Sequence, residues 1–217
     1  MEKFFNTLIK VNSLLKDIDF MFFKTVFPNF SYLPSDIDIL IQDKKQFEKA
    51  KKRLLNAGFN EIKEVQPFKL RFDKQDFYQI DLYQKVCWGG VLFLDKVKKR
   101  MIIFKGEIFP VPEKEDEFLI ILAHRFFTTK KGHKPWINYL IELLKELDEK
   151  RLIERAAKFG WADAVKFFLK NKKIEKSNIF LFKKLWFDFK NHKGFLKEIL
   201  SYSHWRFNSF LYRIFKK

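Results

Sequence analysis

The spacing of apolar residues changes once along this chain, at the Pro110-Val111-Pro112 segment. Before that segment, short apolar runs alternate with polar turns, a pattern typical of β-strands with a few intervening helices. After it, apolar residues recur at every third or fourth position over long segments, which indicates amphipathic helices. The change predicts an α+β fold, in which a small mixed β-sheet with flanking helices is followed by an all-α helical C-terminal half. We expect two domains, 1–111 and 112–217.

The first half contains two segments with helical spacing, residues 4–17 and 46–56. Asp43 is a suitable N-cap for the second helix, and Gly58 follows it where a glycine commonly ends a helix. The other elements predicted in this half are strands at 19–26, 35–41, 59–65, 68–72 and 76–84, a short helix at 94–100 and a hairpin at 101–109. The second half is predicted to be helical over 113–127, 136–147 and from 152 onward, with breaks near Gly160, 171–177 and Gly194.

The run Ser35-Asp36-Ile37-Asp38-Ile39-Leu40-Ile41 places two carboxylates in an otherwise apolar strand. Side chains at i and i+2 of a strand point to the same face, so Asp36 and Asp38 stand side by side. Burying two like charges is costly without compensation, and a divalent metal ion can compensate such a pair. The alternative is a strand whose first polar residues simply reach solvent. This run alone leaves both interpretations open.

A third carboxylate lies in a later apolar strand, over 76–84. Asp81 shares one face of that strand with Gln79 and Tyr83, and apolar residues occupy the other face. Asp76 is the second choice for this carboxylate if the strand register is shifted. A half-buried sheet tyrosine is the ordinary interpretation of Tyr83, and stacking on a base is the other.

The chain is strongly basic, with 44 Lys and Arg against 27 Asp and Glu and a net charge of +17. Residues 151–217 hold 17 basic and 5 acidic residues, a net charge of +12, which leaves +5 for residues 1–150. A basic C-terminal third predicts a polyanionic partner, with nucleic acid favoured over an anionic membrane surface. A lysine-rich solubilising surface is the alternative.

Cys87 is the single cysteine, so no internal disulfide or thiolate metal site is expected. One cysteine fits a reducing compartment. No apolar run approaches the ~20 residues of a membrane span, and no signal-peptide pattern is present. We therefore expect a cytoplasmic protein without a membrane partner.

Several short motifs occur in a fixed order along residues 20–147. They are Phe23-Lys24-Thr25, Asp36-Ile37-Asp38-Ile39, Gly58-Phe59, Ile80-Asp81-Leu82-Tyr83, Pro112-Glu113 and Ala123-His124. This set resembles the DNA polymerase β-like nucleotidyltransferase superfamily and, within it, the small stand-alone nucleotidyltransferases. An Asp-x-Asp pair is common by chance, whereas the ordered set is much less so. The resemblance implies that 1–111 is the catalytic domain and 112–217 a basic helical domain.

The resemblance also implies a catalytic site in which Asp36, Asp38 and Asp81 hold two Mg²⁺ ions, with Mn²⁺ as a substitute. In such a site an acceptor hydroxyl attacks the α-phosphorus of a nucleoside triphosphate (NTP), Asp81 accepts the proton and pyrophosphate leaves. One position departs from the superfamily pattern, because its Gly-Gly or Gly-Ser pair is Lys24-Thr25 here. A glycine loop lets backbone N–H groups approach the triphosphate, so this departure weakens the expected nucleotide affinity.

Six residues are candidates for nucleotide binding: Lys24, Thr25, Ser35, His124, Arg125 and Lys131. Several have an ordinary structural alternative. Lys24 is equally consistent with a lysine at a strand end that extends into solvent, Ser35 is a suitable cap or turn residue, and His124 suits a helix core or interface. The basic loop that contains Lys131 is equally consistent with a solvated loop. The candidates for nucleic-acid binding in the tail are Lys183, Lys184, Lys190, Arg206 and Arg213, with most neighbouring aromatic rings expected in packing.

The sequence therefore predicts a Mg²⁺-dependent nucleotidyltransferase that uses an NTP and an RNA acceptor, with tRNA favoured. The first alternative is the same chemistry on a small-molecule or protein acceptor. The second is a catalytically silent RNA-binding module, which the Thr25 departure supports. Salt dependence separates an RNA acceptor from a small one, because phosphate contacts weaken steeply with salt.

Overall fold

The computed structural model describes residues 2–27, 33–66, 68–88, 91–127, 134–174 and 178–191. The chain divides into two compact units. The first unit comprises Met1–Glu64, Phe68–Val86 and Lys96–Glu113, and the second comprises Val65–Pro67, Cys87–Asp95 and Lys114–Lys217. No helix within the described ranges combines the length and the apolar composition that crossing a bilayer requires.

Sixteen helices and strands follow one another along the described residues. In chain order they are α1 (Glu2–Leu14), β1 (Met21–Phe22), β2 (Ile37–Leu40), α2 (Lys44–Asn56), β3 (Asn60–Gln66), β4 (Lys69–Asp73), β5 (Ile80–Tyr83), β6 (Val86–Trp88), β7 (Val91–Leu94), β8 (Lys99–Phe104), β9 (Glu107–Pro112), α3 (Lys114–Phe127), α4 (Lys134–Leu144), α5 (Glu149–Ala157), α6 (Ala162–Asn171) and α7 (Asn178–Asn191). The predicted α+β class, with strands first and helices after them, is confirmed.

A five-stranded sheet in the order β1-β2-β5-β4-β3 organises the first unit. The strands β2 and β5 are parallel, whereas β1 is antiparallel to β2 and β4 is antiparallel to β5. The sheet is therefore mixed, as predicted. Because β2 and β5 are parallel neighbours, residues distant in sequence meet at the same level of the sheet.

The two faces of this sheet differ in chemistry. Ile37, Ile39, Ile80 and Leu82 are fully buried and belong to one hydrophobic core. That core also includes residues of α1 and α2, among them Leu8, Val11, Phe47 and Leu54. The intervening residues of β2 and β5 point to the opposite face, because side chains alternate along a strand. That second face carries the predicted site.

The predicted end of α2 and its N-cap are confirmed, although the helix begins at Lys44, two residues before the predicted start. Asp43 caps its N-terminus, since its carboxylate accepts a hydrogen bond of 2.8 Å from the N–H of Gln46. Gly58 follows the helix with a φ of 82°, a left-handed conformation that glycine adopts without strain.

The predicted helix over 94–100 is wrong. Leu94 ends β7, and Lys99 begins β8, with a turn between them in which Lys96 has a φ of 47°. Gln42 holds this turn through two hydrogen bonds with the backbone of Val97, of 2.7 and 2.8 Å. Leu94 and Val97 are both buried and lie three residues apart. This spacing also occurs on one face of a helix, which is why the sequence pattern indicated a helix here. The predicted strand over 19–26 is likewise reduced to the two residues of β1.

The second unit is built mainly from α3 to α7. Its core is aromatic, with Phe118 packed against Phe168 and the indole N–H of Trp161 donating to the carbonyl of Phe93 at 3.1 Å. Gly160 has a φ of 74°, and a Cβ there would lie 2.2 Å from Phe187. Only glycine fits this position, which explains the predicted helix break.

Candidate active site

The carboxylates of Asp36, Asp38 and Asp81 converge on the polar face of the sheet. The parallel register of β2 and β5 places Asp38 opposite Asp81, and Asp36 precedes Asp38 by two residues. One carboxylate oxygen from each of the three residues lies within 4.8 Å of the others. Asp38 and Asp81 are 4% and 1% exposed, and Asp36 is half-buried. The structure thus brings together the three residues predicted to form the catalytic site.

The donor set of this cluster fits a hard divalent cation. Mg²⁺ and Mn²⁺ prefer oxygen ligands, and paired carboxylates with open positions commonly hold them next to phosphates. Oxygens within 4.8 Å of one another are close enough to share ions. Asp36, Asp38 and Asp81 are therefore the residues that would hold such a metal.

Three side-chain cations from the same unit contact these carboxylates. The Nζ of Lys24 lies 2.9 Å from an Asp38 carboxylate oxygen. Lys69 forms an ion pair with Asp81, and Arg71 donates to Asp81 from its Nε at 2.8 Å and from an Nη at 3.2 Å. The antiparallel register of β4 and β5 places Arg71 opposite Asp81. The site therefore contains carboxylates paired with basic side chains, and not carboxylates alone.

The environment separates the pKa values of the three carboxyls. Burial raises the pKa of Asp38 to about 6, although the charge of Lys24 opposes the increase. Burial and the nearby charge of Asp81 also raise the pKa of Asp36. Burial alone would raise the pKa of Asp81, but the hydrogen bond from Arg71 and the charge of Lys69 outweigh this effect and lower the pKa. Asp81 therefore stays ionised at a lower pH than its neighbours.

The Lys24-Thr25 pair has a backbone conformation that compensates in part for the missing glycines. Lys24 has a φ of 56°, the left-handed region that glycine usually occupies. The Thr25 side chain is buried, and its Oγ1 accepts a hydrogen bond of 2.9 Å from the N–H of Asp38. The same oxygen lies 3.1 Å from the carbonyl of Phe23. The Thr25 hydroxyl thus holds the turn against β2, with its hydrogen-bonding capacity directed to the backbone.

Tyr83 lies on the same face of β5 as Asp81, opposite Lys69 in the strand register. Its ring is 5.5 Å from the Nζ of Lys24 and 5.2 Å from the Nζ of Lys69. The rings of Phe23 and Tyr83 are nearly perpendicular, with a centroid distance of 5.0 Å. Tyr83 is 6% exposed and its ring lies near both ammonium groups. It is therefore a buried sheet tyrosine that contacts the two lysines.

The remaining nucleotide-binding candidates have different surroundings. The hydroxyl of Ser35 donates to an Asp36 carboxylate oxygen at 3.2 Å. His124 and Arg125 belong to α3 in the second unit, where the His124 ring lies 5.3 Å from that of Trp88. The guanidinium of Arg125 lies 4.3 Å from the Trp136 ring centroid. Lys131 lies outside the described residues.

The tail candidates on α7 fall into two classes. Lys183 and Lys190 are exposed; the first pairs with Asp163 at 2.6 Å and the second lies 4.7 Å from the Trp186 ring centroid. Lys184 is fully buried and binds Asp188, so its ammonium group is not on the surface. Arg206 and Arg213 lie outside the described residues. We retain Lys183 and Lys190 as candidates for contact with nucleic acid.

Sequence reasoning missed Lys69 and Arg71. The alternation Lys69-Leu70-Arg71-Phe72 was visible in the sequence and indicates a strand with two basic side chains on one face. What the sequence did not give was the neighbour of that strand, because strand pairing is set by non-local packing.

No protein-family model matches the chain, and no curated protein sequence matches it. Among solved structures, the chain is similar to the lincosamide antibiotic adenylyltransferase LnuA bound to lincomycin, with 13% identity and a TM-score of 0.43 over 66% of this chain and 97% of that chain. It is also similar to an antigenic nucleotidyltransferase-like protein from Paracoccidioides brasiliensis, with 11% identity and a TM-score of 0.44 over 83% of this chain and 97% of that chain.

Proposed function

We propose that this protein is a metal-dependent nucleotidyltransferase that moves a nucleoside monophosphate from an NTP to an acceptor hydroxyl. The observation that carries the proposal is the convergence of Asp36, Asp38 and Asp81, with one oxygen of each within 4.8 Å on a polar sheet face. Lys24, Lys69 and Arg71, which contact these carboxylates, provide cations for a triphosphate.

Asp36, Asp38 and Asp81 would hold divalent ions, Mg²⁺ by preference and Mn²⁺ as a substitute. Bound there, such ions supply activation of the acceptor hydroxyl and neutralisation of phosphate charge. In the transfer itself, the acceptor oxygen forms a bond to the α-phosphorus, and the bond from that phosphorus to the bridging oxygen breaks. Pyrophosphate leaves with the electron pair of the broken bond. The acceptor proton passes to a carboxylate of the cluster, for which Asp81 is the candidate.

The proposed acceptor is RNA, with tRNA favoured. The net charge of +17 supports a polyanionic partner. Exposed lysines on α7 stand beside exposed rings, since Trp186 and Phe189 are 51% and 53% exposed and stack at 5.9 Å. Lysines that bind phosphates and rings that stack on bases are the usual combination on proteins that bind single-stranded RNA.

The test is incubation of the protein with Mg²⁺, total RNA and each NTP labelled at the α-phosphate. Labelled RNA is the expected result, and its yield should fall steeply as salt increases. Label that enters a small molecule or a protein, with a yield that does not change with salt, would show that the acceptor is not RNA. RNA that binds without receiving label from any of the NTPs would favour the silent binding module. Asp36→Asn and Asp38→Asn should abolish the labelling. Asp73→Asn is the matched control for these two variants, because Asp73 is an exposed carboxylate of the same unit.

A further inference from the structure

The excess positive charge of residues 1–150 is concentrated on one helix, α2. Six of its residues are lysine or arginine and one is glutamate, a net charge of +5. Residues 1–150 as a whole carry the same net charge, +5. The other helices in the described part of the chain carry between −1 and +2. Lysines that served only solubility would be interspersed with acidic residues over the fold, so this concentration favours an anionic partner.

The placement of the lysines along α2 does not stabilise the helix. Lys44 and Lys45 lie in its first turn, which contains no acidic residue. The N-terminus is the positive end of the helix dipole, so cations there are unfavourable. Lys45 and Lys49 are also one turn apart, and like charges at that spacing destabilise a helix. Helix stability therefore does not explain these lysines.

The ends of α1 and α2 share one exposed group of lysines, which we call the lysine surface. Its members, which are exposed and form no ion pair among the described residues, are Lys10, Lys16, Lys44, Lys45 and Lys52. The neighbouring carboxylate of Asp17 already accepts hydrogen bonds of 2.7 Å from Arg53 and 2.8 Å from Lys49. Those two bonds lower the pKa of Asp17 and neutralise its charge. Asp17 consequently adds little repulsion toward an anion at this surface.

A hydrogen bond fixes the two helices next to an open cavity. The guanidinium of Arg53 donates to the carbonyl of Leu14, the last residue of α1, at 2.9 Å. Beside this bond lies a cavity of about 550 Å³, and residues of both helices line it, among them Lys10, Ser13 and Asn56. A phosphate–sugar backbone that follows α2 can continue across this cavity to the lysines of α1.

We propose that the lysine surface binds the phosphate backbone of RNA without reading its sequence. Lysine ammonium groups bind phosphates as point charges. Phe47 is the single aromatic residue of α2 and is buried, so the helix offers no ring for stacking on a base. An anionic membrane fits less well, because an interfacial helix needs an exposed apolar face. Phe47, Ala50 and Leu54 are buried in the core, and Leu55 by itself provides no such face.

The lysine surface and the carboxylate cluster belong to opposite sides of the sheet. The core that α1 and α2 share with the sheet contains Ile37 and Leu82, whereas Asp38 and Asp81 alternate with these residues and point to the other face. RNA on the lysine surface is therefore held away from the reacting atoms. The inference deepens the proposed function, on which the RNA acceptor rests, by adding a docking surface in the first unit to the one proposed on α7.

The first measurement compares wild type with Lys45→Glu/Lys52→Glu. Fluorescence anisotropy with labelled bulk tRNA across a salt series gives the affinity and its salt dependence. We expect the double variant to bind at least about tenfold more weakly, and the slope of log affinity against log salt to fall by about 1.4–1.8, because two phosphate contacts are lost. The control, Lys3→Glu/Lys158→Glu, makes the same charge change at exposed lysines outside the lysine surface. Equal losses in the two double variants would overturn the inference.

The stability of Lys45→Glu separates binding from a structural role. The new carboxylate lies at the positive end of the α2 dipole, so the midpoint of urea unfolding should rise while RNA binding weakens. A lower midpoint together with weaker binding would show that Lys45 supports the fold and would overturn its assignment to RNA.

Transfer kinetics distinguish this inference from the proposed function. In Lys45→Glu/Lys52→Glu the KM for RNA should rise by the factor lost in binding, and kcat should stay within about twofold. A large fall in kcat at saturating RNA would contradict a docking role. The anisotropy measurement needs no transfer, so a wild type that binds RNA through these lysines but labels no acceptor would refute the proposed function alone. Loss of binding to phosphatidylserine vesicles with unchanged RNA binding would overturn the inference in favour of a membrane.

Discussion

Asp38 and Asp81, which are 43 positions apart in the chain, lie directly opposite each other in the parallel pairing of β2 with β5. A cation faces each of them, Lys24 in one case and Lys69 with Arg71 in the other. The pairing explains why an apolar sheet contains buried carboxylates, because each charge has a partner on the same face.

The raised pKa of Asp38 predicts a pH dependence of stability. Burial raises this pKa to about 6 from 3.8, so between these values the folded state binds more protons than the unfolded state. The free energy of unfolding therefore falls as pH rises through this window. The shift corresponds to about 3 kcal/mol, at about 1.4 kcal/mol for each pKa unit.

Asp38→Asn cannot ionise and isolates this contribution. We expect the unfolding free energy of the variant, relative to wild type, to increase by about 3 kcal/mol from about pH 3 to about pH 7. Urea denaturation of both metal-free proteins at several pH values measures the difference. A difference that stays constant with pH would show that the carboxyl has its ordinary pKa in the fold.

Removing the Thr25 hydroxyl should destabilise the first unit. Thr25→Val keeps the shape of the side chain but removes the oxygen that accepts the 2.9 Å hydrogen bond from the buried N–H of Asp38. Losing the partner of a buried donor costs about 1–3 kcal/mol. Thr25→Ser, which retains the hydroxyl, should lose much less. Equal stability of the valine and serine variants in chemical denaturation would contradict the assigned role.

The left-handed backbone of Lys24 can be tested separately from its charge. Lys24→Gly and Lys24→Met both remove the ammonium group that faces Asp38, but only glycine adopts a φ of 56° without strain. The glycine variant should therefore be more stable than the methionine variant by about 1 kcal/mol. Thermal and urea unfolding of the pair checks this difference. A more stable methionine variant would indicate that the conformation carries no strain.

The buried pair on α7 should behave as a structural element. Burial lowers the pKa of Lys184, and Asp188 compensates for it in part. Lys184→Met removes this ammonium from a buried carboxylate and should destabilise the protein by about 3 kcal/mol. Lys183→Met changes an exposed ion pair with Asp163 and should cost less than about 1 kcal/mol.

The two α7 variants should have the opposite order of effects on RNA. Lys183→Met should weaken RNA binding and reduce its salt dependence, because an exposed lysine is available to phosphates. Binding to a labelled RNA across a salt series measures both properties. Stronger loss of RNA binding in a folded Lys184→Met than in Lys183→Met would contradict the division of these residues into structural and surface classes.

The sequence was most informative where a local pattern decides the structure. The alternation of isoleucines with Asp36 and Asp38 indicated a strand with a polar face, and the residues around Asp81 did the same. The cap at Asp43 and the helices after Pro112 follow from equally local rules. These elements could be predicted because their hydrophobic periods and turn residues agree.

The sequence was least informative where a distant partner decides the structure. Arg71 became part of the site only through the register of β4 with β5. The turn at Val97 depends on hydrogen bonds with the side chain of Gln42, which lies 55 positions earlier. The role of Thr25 likewise depends on its contact with Asp38. Local propensity does not encode such pairings, so the counter-ions of the site emerged only from the fold.

The proposed function requires that Asp36 and Asp38 take part in nucleotidyl transfer. The most direct measurement compares transfer from α-phosphate-labelled NTPs by wild type, Asp36→Asn, Asp38→Asn and the exposed control Asp73→Asn, with folding verified by circular dichroism. We expect transfer to fall by at least about 100-fold in Asp36→Asn and Asp38→Asn, because each loses a proposed metal-binding carboxylate, and to stay nearly unchanged in Asp73→Asn. Undiminished transfer by a folded Asp38→Asn would show that this cluster does not catalyse the reaction.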